Sequence, residues 1–125
     1  MRKQYHFWPS ERGLQAWDVD RLIALSRDLP RRRVALDSIR EIDEVYWFDH
    51  AEERPTCRKV IEHLRLIEQC DLAHPIILAA DGRVMDGMHR VAKALLEGRR
   101  EIEAVQFDVD PAPDYVGRKA SELPY

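Results

Sequence analysis

The sequence predicts a single compact α/β (α+β) domain over residues 1–125. Segments with helical apolar spacing alternate with short apolar runs bounded by Gly, Pro and Asp. In a chain of 125 residues, 45% hydrophobic content is enough for one core, and the length is short for two. No internal repeat or low-complexity tract interrupts this order.

Residues 1–17 are read as an N-terminal extension. In 18–29, "DVDRLIALSRDL", apolar residues recur at Leu22, Ile23, Leu25 and Leu29 behind an Asp that can cap, so the spacing predicts an amphipathic helix ended by Pro30. Residues 34–36 read as a short strand. "DSIREID" reads as a turn of helix opening at Asp37 or Ser38, and "VYWF" as an apolar strand or a packed aromatic segment. "TCRKVIEHLRLIEQCDL" is the clearest helix, with Thr56 as N-cap and Cys57, Val60, Ile61, Leu64 and Ile67 on one stripe. "PIILAADGRVMDG" predicts two strands turning at Asp81-Gly82. Residues 88–97 follow as a helix with Val91, Ala92, Leu95 and Leu96 inward and Gly98 closing its end. "EIEAVQFDV" is the last strand, and the strand, helix and strand at this end predict a right-handed crossover. Residues 108–125 carry three prolines and read as an extended tail, packed on the surface or awaiting a partner.

Composition narrows the function. No run of about 18 apolar residues predicts a membrane helix, and "MRKQYHFWPSERG" lacks the apolar centre of a signal peptide, so the expectation is a cytoplasmic protein with no membrane partner. Cys57 and Cys70 have neither CxxC spacing nor disulfide-scaffold density and are expected to be reduced thiols. A formal net charge of -3 does not favour DNA as a partner, because DNA affinity rests largely on Lys and Arg neutralising phosphates. His6, His50, His63, His74 and His89 show no zinc spacing, so no protein-held metal is expected.

Chemistry concentrates in "VMDGMHRVAKALLEG". A helix that starts directly after a strand presents unpaired N–H groups and a positive dipole end, a ready anion site. Gly87 would let a phosphate approach the main chain, and His89 and Arg90 add directional donors. Asp86 could accept a proton from a substrate hydroxyl, ligate a metal carried by the phosphates, or simply cap the helix. A cation in the first turn opposes the dipole by about 0.3–1 kcal/mol, so an anion is expected beside it, either a bound phosphate or a protein carboxylate such as Asp86.

The stretch "HPIILAADGRVMDGMHRVAKALLEGRREIEAVQF" resembles the core of the ParB/sulfiredoxin superfamily: "PI", a hairpin, a "DGMHR" box and an alanine-rich helix stand in the same order. The resemblance covers residues 75–107 well, the preceding helix moderately, and the first 50 or so residues only through "VALDSI". It implies a small mixed sheet flanked by helices and a nucleotide site for ATP, ADP or CTP, with Mg2+, in which the box residues Gly87, Met88, His89 and Arg90 form the phosphate cradle. Sulfiredoxins carry a catalytic cysteine where this chain has Met88, so that chemistry is not expected. The ParB branch continues into a helix-turn-helix domain, whereas residues 108–125 follow the last strand here. Free serine kinases of the superfamily carry Asp-Gly-His-His-Arg, which "DGMHR" matches except at Met88. That branch implies a phosphotransferase acting on a small hydroxyl substrate, with Asp86 catalytic and Glu41 or Glu44 as a second acid. The alternatives are a non-catalytic nucleotide- or DNA-associated module, or a ParB-like nuclease.

Beside the box, "YWFDHAEERPTCR" groups Trp47, Asp49, His50 and Arg54 as substrate-binding candidates. Aromatics and charges in a loop can stack a base and hold a substrate, and the same aromatics can equally fill the core. His63 lies beside the apolar stripe, reaching toward the box or serving as a partly buried structural histidine. Arg31, Arg32 and Arg33 form a basic triplet that can touch phosphate or stand solvated.

Overall fold

A computed structural model describes residues 3–49 and 53–125. The apolar alternation in the central strands decides the layering. Ile76 and Leu78 belong to one buried cluster, and Ile77 and Ala79 to another, so a sheet strand with consecutive apolar residues is covered on both faces. Val84 and Met85, and Ala104 and Val105, divide in the same way. The architecture is α+β.

In chain order the elements are β1 (Tyr5–Ser10), β2 (Gly13–Asp18), α1 (Val19–Ser26), β3 (Arg32–Ala35), two 3-10 turns (Leu36–Ser38 and Arg40–Asp43), α2 (Cys57–Gln69), β4 (Ile76–Leu78), β5 (Val84–Asp86), α3 (Met88–Leu96), β6 (Glu101–Gln106), β7 (Tyr115–Val116) and a last 3-10 turn (Ala120–Glu122). The central sheet is mixed, in the order β3-β6-β4-β5. β4 runs parallel to β6, while β3 with β6 and β4 with β5 are antiparallel. The crossover expected from β5 through α3 to β6 is therefore corrected: the parallel partners are β4 and β6, and both β5 and α3 lie in the connection between them.

α1 and α2 begin as their caps require. Asp18 accepts from the Asp20 amide at 2.9 Å and the Thr56 hydroxyl from the Lys59 amide at 3.2 Å. The β4–β5 turn has its positive φ at Gly82 alone. "VYWF" is not a strand; it is a packed aromatic segment, with Tyr46 and Trp47 against the Leu36, Ile39 and Met88 cluster. One expectation about burial fails in part. α3 buries Met88, Val91 and Ala94, leaving Leu95 exposed and Leu96 68% exposed, because the helix sits on the sheet through its first two turns. α2 has no fully buried residue despite its apolar stripe.

The N-terminal extension is an antiparallel hairpin, β1 with β2, and residues 108–125 pack onto it. β7 pairs with β2, the Trp17 indole Nε1 donates to the Pro111 carbonyl at 2.8 Å, Arg21 pairs with Asp114 at 3.1 Å, and Leu123 is buried. The Tyr5 hydroxyl donates to the Pro124 carbonyl and its ring meets Tyr115 and Tyr125 edge-on. Cys57 and Cys70, at the two ends of α2, are free thiols.

A chain ending at residue 107 should lose about 2–4 kcal/mol of stability through the uncovered Trp17 and Leu123 environments. Urea denaturation followed by tryptophan fluorescence measures this; an unchanged midpoint would show that the tail only lies on the surface.

Candidate functional site

The box begins where β5 ends. Gly87 is the N-cap of α3, with φ 107° and no side-chain cap. A Cβ there would come within 2.7 Å of Ile76 Cγ2 and 2.8 Å of Arg90 Nη2, so both the backbone angle and the packing demand glycine. The atoms that use this opening are the protein's own. Arg90 folds back over the helix start, and its Nη2 donates to Asp86 Oδ2 at 3.1 Å and to the Pro75 carbonyl at 3.2 Å. The anion required beside a first-turn cation is thus supplied by Asp86, which pairs with Arg90 at i,i+4 and does not cap the helix. Arg90 Nε remains buried and has no hydrogen-bond partner among the described residues.

Asp86 and Arg90 line a cleft of about 520 Å³ between α1 and the β4 strand. Val19, Ile23, Leu29, Ile77 and Val105 form its apolar wall, and Asp20, Arg27, Arg31 and His74 add charge and donors. Arg31 is partly spoken for, donating to the Ala73 carbonyl at 3.0 Å and to Glu103 at 3.3 Å, whereas Arg27 makes no ion pair among the described residues. A cleft that joins an apolar wall to Arg27, Arg31 and Arg90 suits an amphipathic anion.

His89 faces elsewhere. Its Nε2 lies 2.9 Å from His63 Nδ1, and the Trp47 ring stacks on both, with centroids 4.6 Å from His63 and 4.8 Å from His89. Phe48 closes edge-on against His63. Burial, reinforced by the His63 and Arg90 charges, lowers the His89 pKa to about 4, and burial also lowers that of His63. His89 is therefore a neutral imidazole at pH 7.

The other candidates divide as follows. Met88 is buried in the core cluster with Leu36, Ile39 and Val91, so its assignment to the phosphate cradle is corrected to packing. Glu41 is only 5% exposed; its Oε2 accepts from the Val84 amide at 2.5 Å and holds the start of β5, while Oε1 has no partner among the described residues. Burial and the nearby charges of Glu41, Asp86 and Asp49 raise the Tyr46 pKa to about 12. Glu41 and Asp86 thus flank one region, and Glu44 is exposed beyond it. Trp47 is engaged by histidines rather than lining the cleft, Asp49 and Arg54 are exposed, and His50 lies outside the described residues. Asp20, Arg27 and His74 escaped sequence reasoning, because no local spacing links α1 to the residue before Pro75.

Among the described residues no three His, Cys, Asp or Glu side chains converge on a metal position, and no helix is long and apolar enough to cross a membrane. No family model, curated protein or solved structure matches the chain.

The histidine stack sets a pH dependence. The folded state keeps His89 neutral down to about pH 4, while the unfolded chain takes up that proton near the ordinary value of 6.5. Stability is therefore full above about pH 6.5 and falls as pH drops toward 4, a window shared with His6, which burial and the Arg83 charge also lower to about 4. H89Q should flatten part of this loss when urea midpoints at pH 7 and pH 4.5 are compared. An identical slope in H89Q would contradict the stack's role.

Proposed function

We propose that the chain is a nucleotide-binding domain of ParB/sulfiredoxin type whose polyphosphate site is the cleft at Asp86 and Arg90. The observation that carries this is that Arg27, Arg31 and Arg90 all line one apolar-walled cleft of about 520 Å³. That volume lies within the usual range of small-ligand sites. The orphaned Arg90 Nε supports the reading, since a phosphate oxygen is the acceptor a guanidinium fork suits best. Arg31 and His74 extend the contact set, and Asp20 would ligate magnesium carried on the phosphates, leaving Asp86 for the substrate. The apolar wall takes the sugar and base. Nucleoside triphosphates are cytoplasmic compounds, and a cytoplasmic setting goes with this reading.

The phosphotransferase form of the proposal follows from competition for one guanidinium. When phosphate oxygens take over Arg90 Nη2, Asp86 Oδ2 loses its partner and becomes a base for a substrate hydroxyl. The hydroxyl oxygen then attacks the terminal phosphorus, its proton goes to Asp86, the bond to the bridging oxygen breaks, and nucleoside diphosphate leaves. Arg90 and Arg27 stabilise the charge on the transferring group. Glu41, held by the Val84 amide, positions β5 rather than acting on the substrate. A second reading, a nucleotide-binding module without catalysis, is favoured by the closed Asp86–Arg90 pair, which leaves no free base until it opens.

Thermal-shift measurements with ATP, ADP and CTP, with and without magnesium, test the shared premise. A ligand at a hundred times its dissociation constant stabilises by about 2.7 kcal/mol. R90A should abolish the shift and W47A should keep it. No shift with any nucleotide would overturn both readings. Consumption of a triphosphate only in the presence of small hydroxy compounds, lost in D86N, separates the kinase from the module.

A further inference from the structure

α2 is strongly amphipathic yet has no fully buried residue. His63, Lys59 and Ile67 turn partly toward the domain, while Val60, Ile61 and Leu64 stand 48%, 56% and 44% exposed on the flank that leads outward from Ile67. At 100° per residue Cys57 and Glu68 extend this outward stripe at its two ends. Three exposed aliphatic side chains in one stripe mark a contact surface rather than scattered surface apolarity.

We propose that this surface is the interface of a homodimer in which two copies pack α2 against α2, antiparallel, across a two-fold axis. The charges bordering the stripe name the occupant. Arg58, Glu62, Arg65 and Glu68 alternate in sign along the helix, and none of them joins an ion pair among the described residues. Reversed end for end, the series reads with opposite sign at each step, so the two-fold sets Arg58 beside the partner's Glu68. A parallel pair would set Arg58 against the partner's Arg58. The helix dipole agrees: the first turn holds Arg58 and Lys59 with no acid, and the last turn holds no base, a polarity that opposes the dipole in an isolated helix. The antiparallel copy brings the partner's Glu68 to the N-terminal end and relieves it. In this register Ile61 packs on the partner's Leu64, an isologous contact in which each residue meets the other's counterpart. A membrane-lying helix would instead carry a predominantly basic border.

Sedimentation equilibrium at tens of micromolar should give a dimer, and L64E a monomer with unchanged circular dichroism and a melting temperature that, unlike the wild type's, does not rise with protein concentration. Orientation is read by oxidation. In a C70S background, E68C should form a disulfide-linked dimer through the native Cys57, while C70S alone should not, because two native Cys57 thiols lie about 16 Å apart along the antiparallel axis. A monomeric wild type, a dimer that survives L64E, failure of E68C to cross-link, or cross-linking of C70S alone would each overturn the proposal.

Discussion

The contact on which the junction of β5 and α3 depends is the Arg90–Asp86 pair closed over Gly87. A guanidinium in the first turn of a helix opposes the dipole, and a carboxylate set just before that turn removes the penalty. Both side chains are mostly withdrawn from water, so each needs the other: a lone charge in that position would carry its desolvation cost uncompensated. The closure is only available because position 87 lacks a Cβ, whose place Ile76 and Arg90 already occupy. The same arginine reaches the carbonyl of Pro75, so one side chain ties the entry of β4 to the exit of β5 and the start of α3.

This closure divides a short box between two surfaces. Arg90 and Asp86 line the cleft, and His89 turns to a neutral, aromatic stack with Trp47 and His63. Charge and neutrality are thereby separated within one helical turn. Burial holds the imidazoles uncharged, which spares Arg90 a second cation at its side and leaves the guanidinium as the anion-seeking group. α2 braces the stack with His63 from one face while an adjoining face carries the uncovered aliphatic stripe.

What could be read from the sequence follows the range of the interactions involved. Helix α2 and its Thr56 cap were legible because capping and 3.6-residue spacing are local, and the hairpin β4–β5 because Gly82 marks its turn. Burial was not legible: a common direction for Val60, Ile61 and Leu64 says nothing of what covers them, and Leu95 and Leu96 were misplaced for the same reason. The N-terminal hairpin went unrecognised because its strands carry Pro9 and bulky aromatics, and part of its support, β7, lies about a hundred residues away in the chain. In the site, Asp86, Gly87 and Arg90 announced themselves through an electrostatic misfit, a cation where the dipole is positive. His89 looked equally cationic, and only its neighbours Trp47 and His63, brought in from distant segments, make it neutral. Arg27 and His74 became visible only when α1 was laid beside β4.

The most direct test of the central claim is the resonance of the Arg90 side-chain Nε–H in a 15N spectrum during titration with a nucleoside triphosphate and magnesium. The cleft reading predicts a large saturable shift at Arg90 Nε, smaller shifts at Arg27 and the Gly87 amide, and unmoved imidazole signals from His63 and His89. Shifts confined to the Trp47 stack, with Arg90 unmoved, would contradict it.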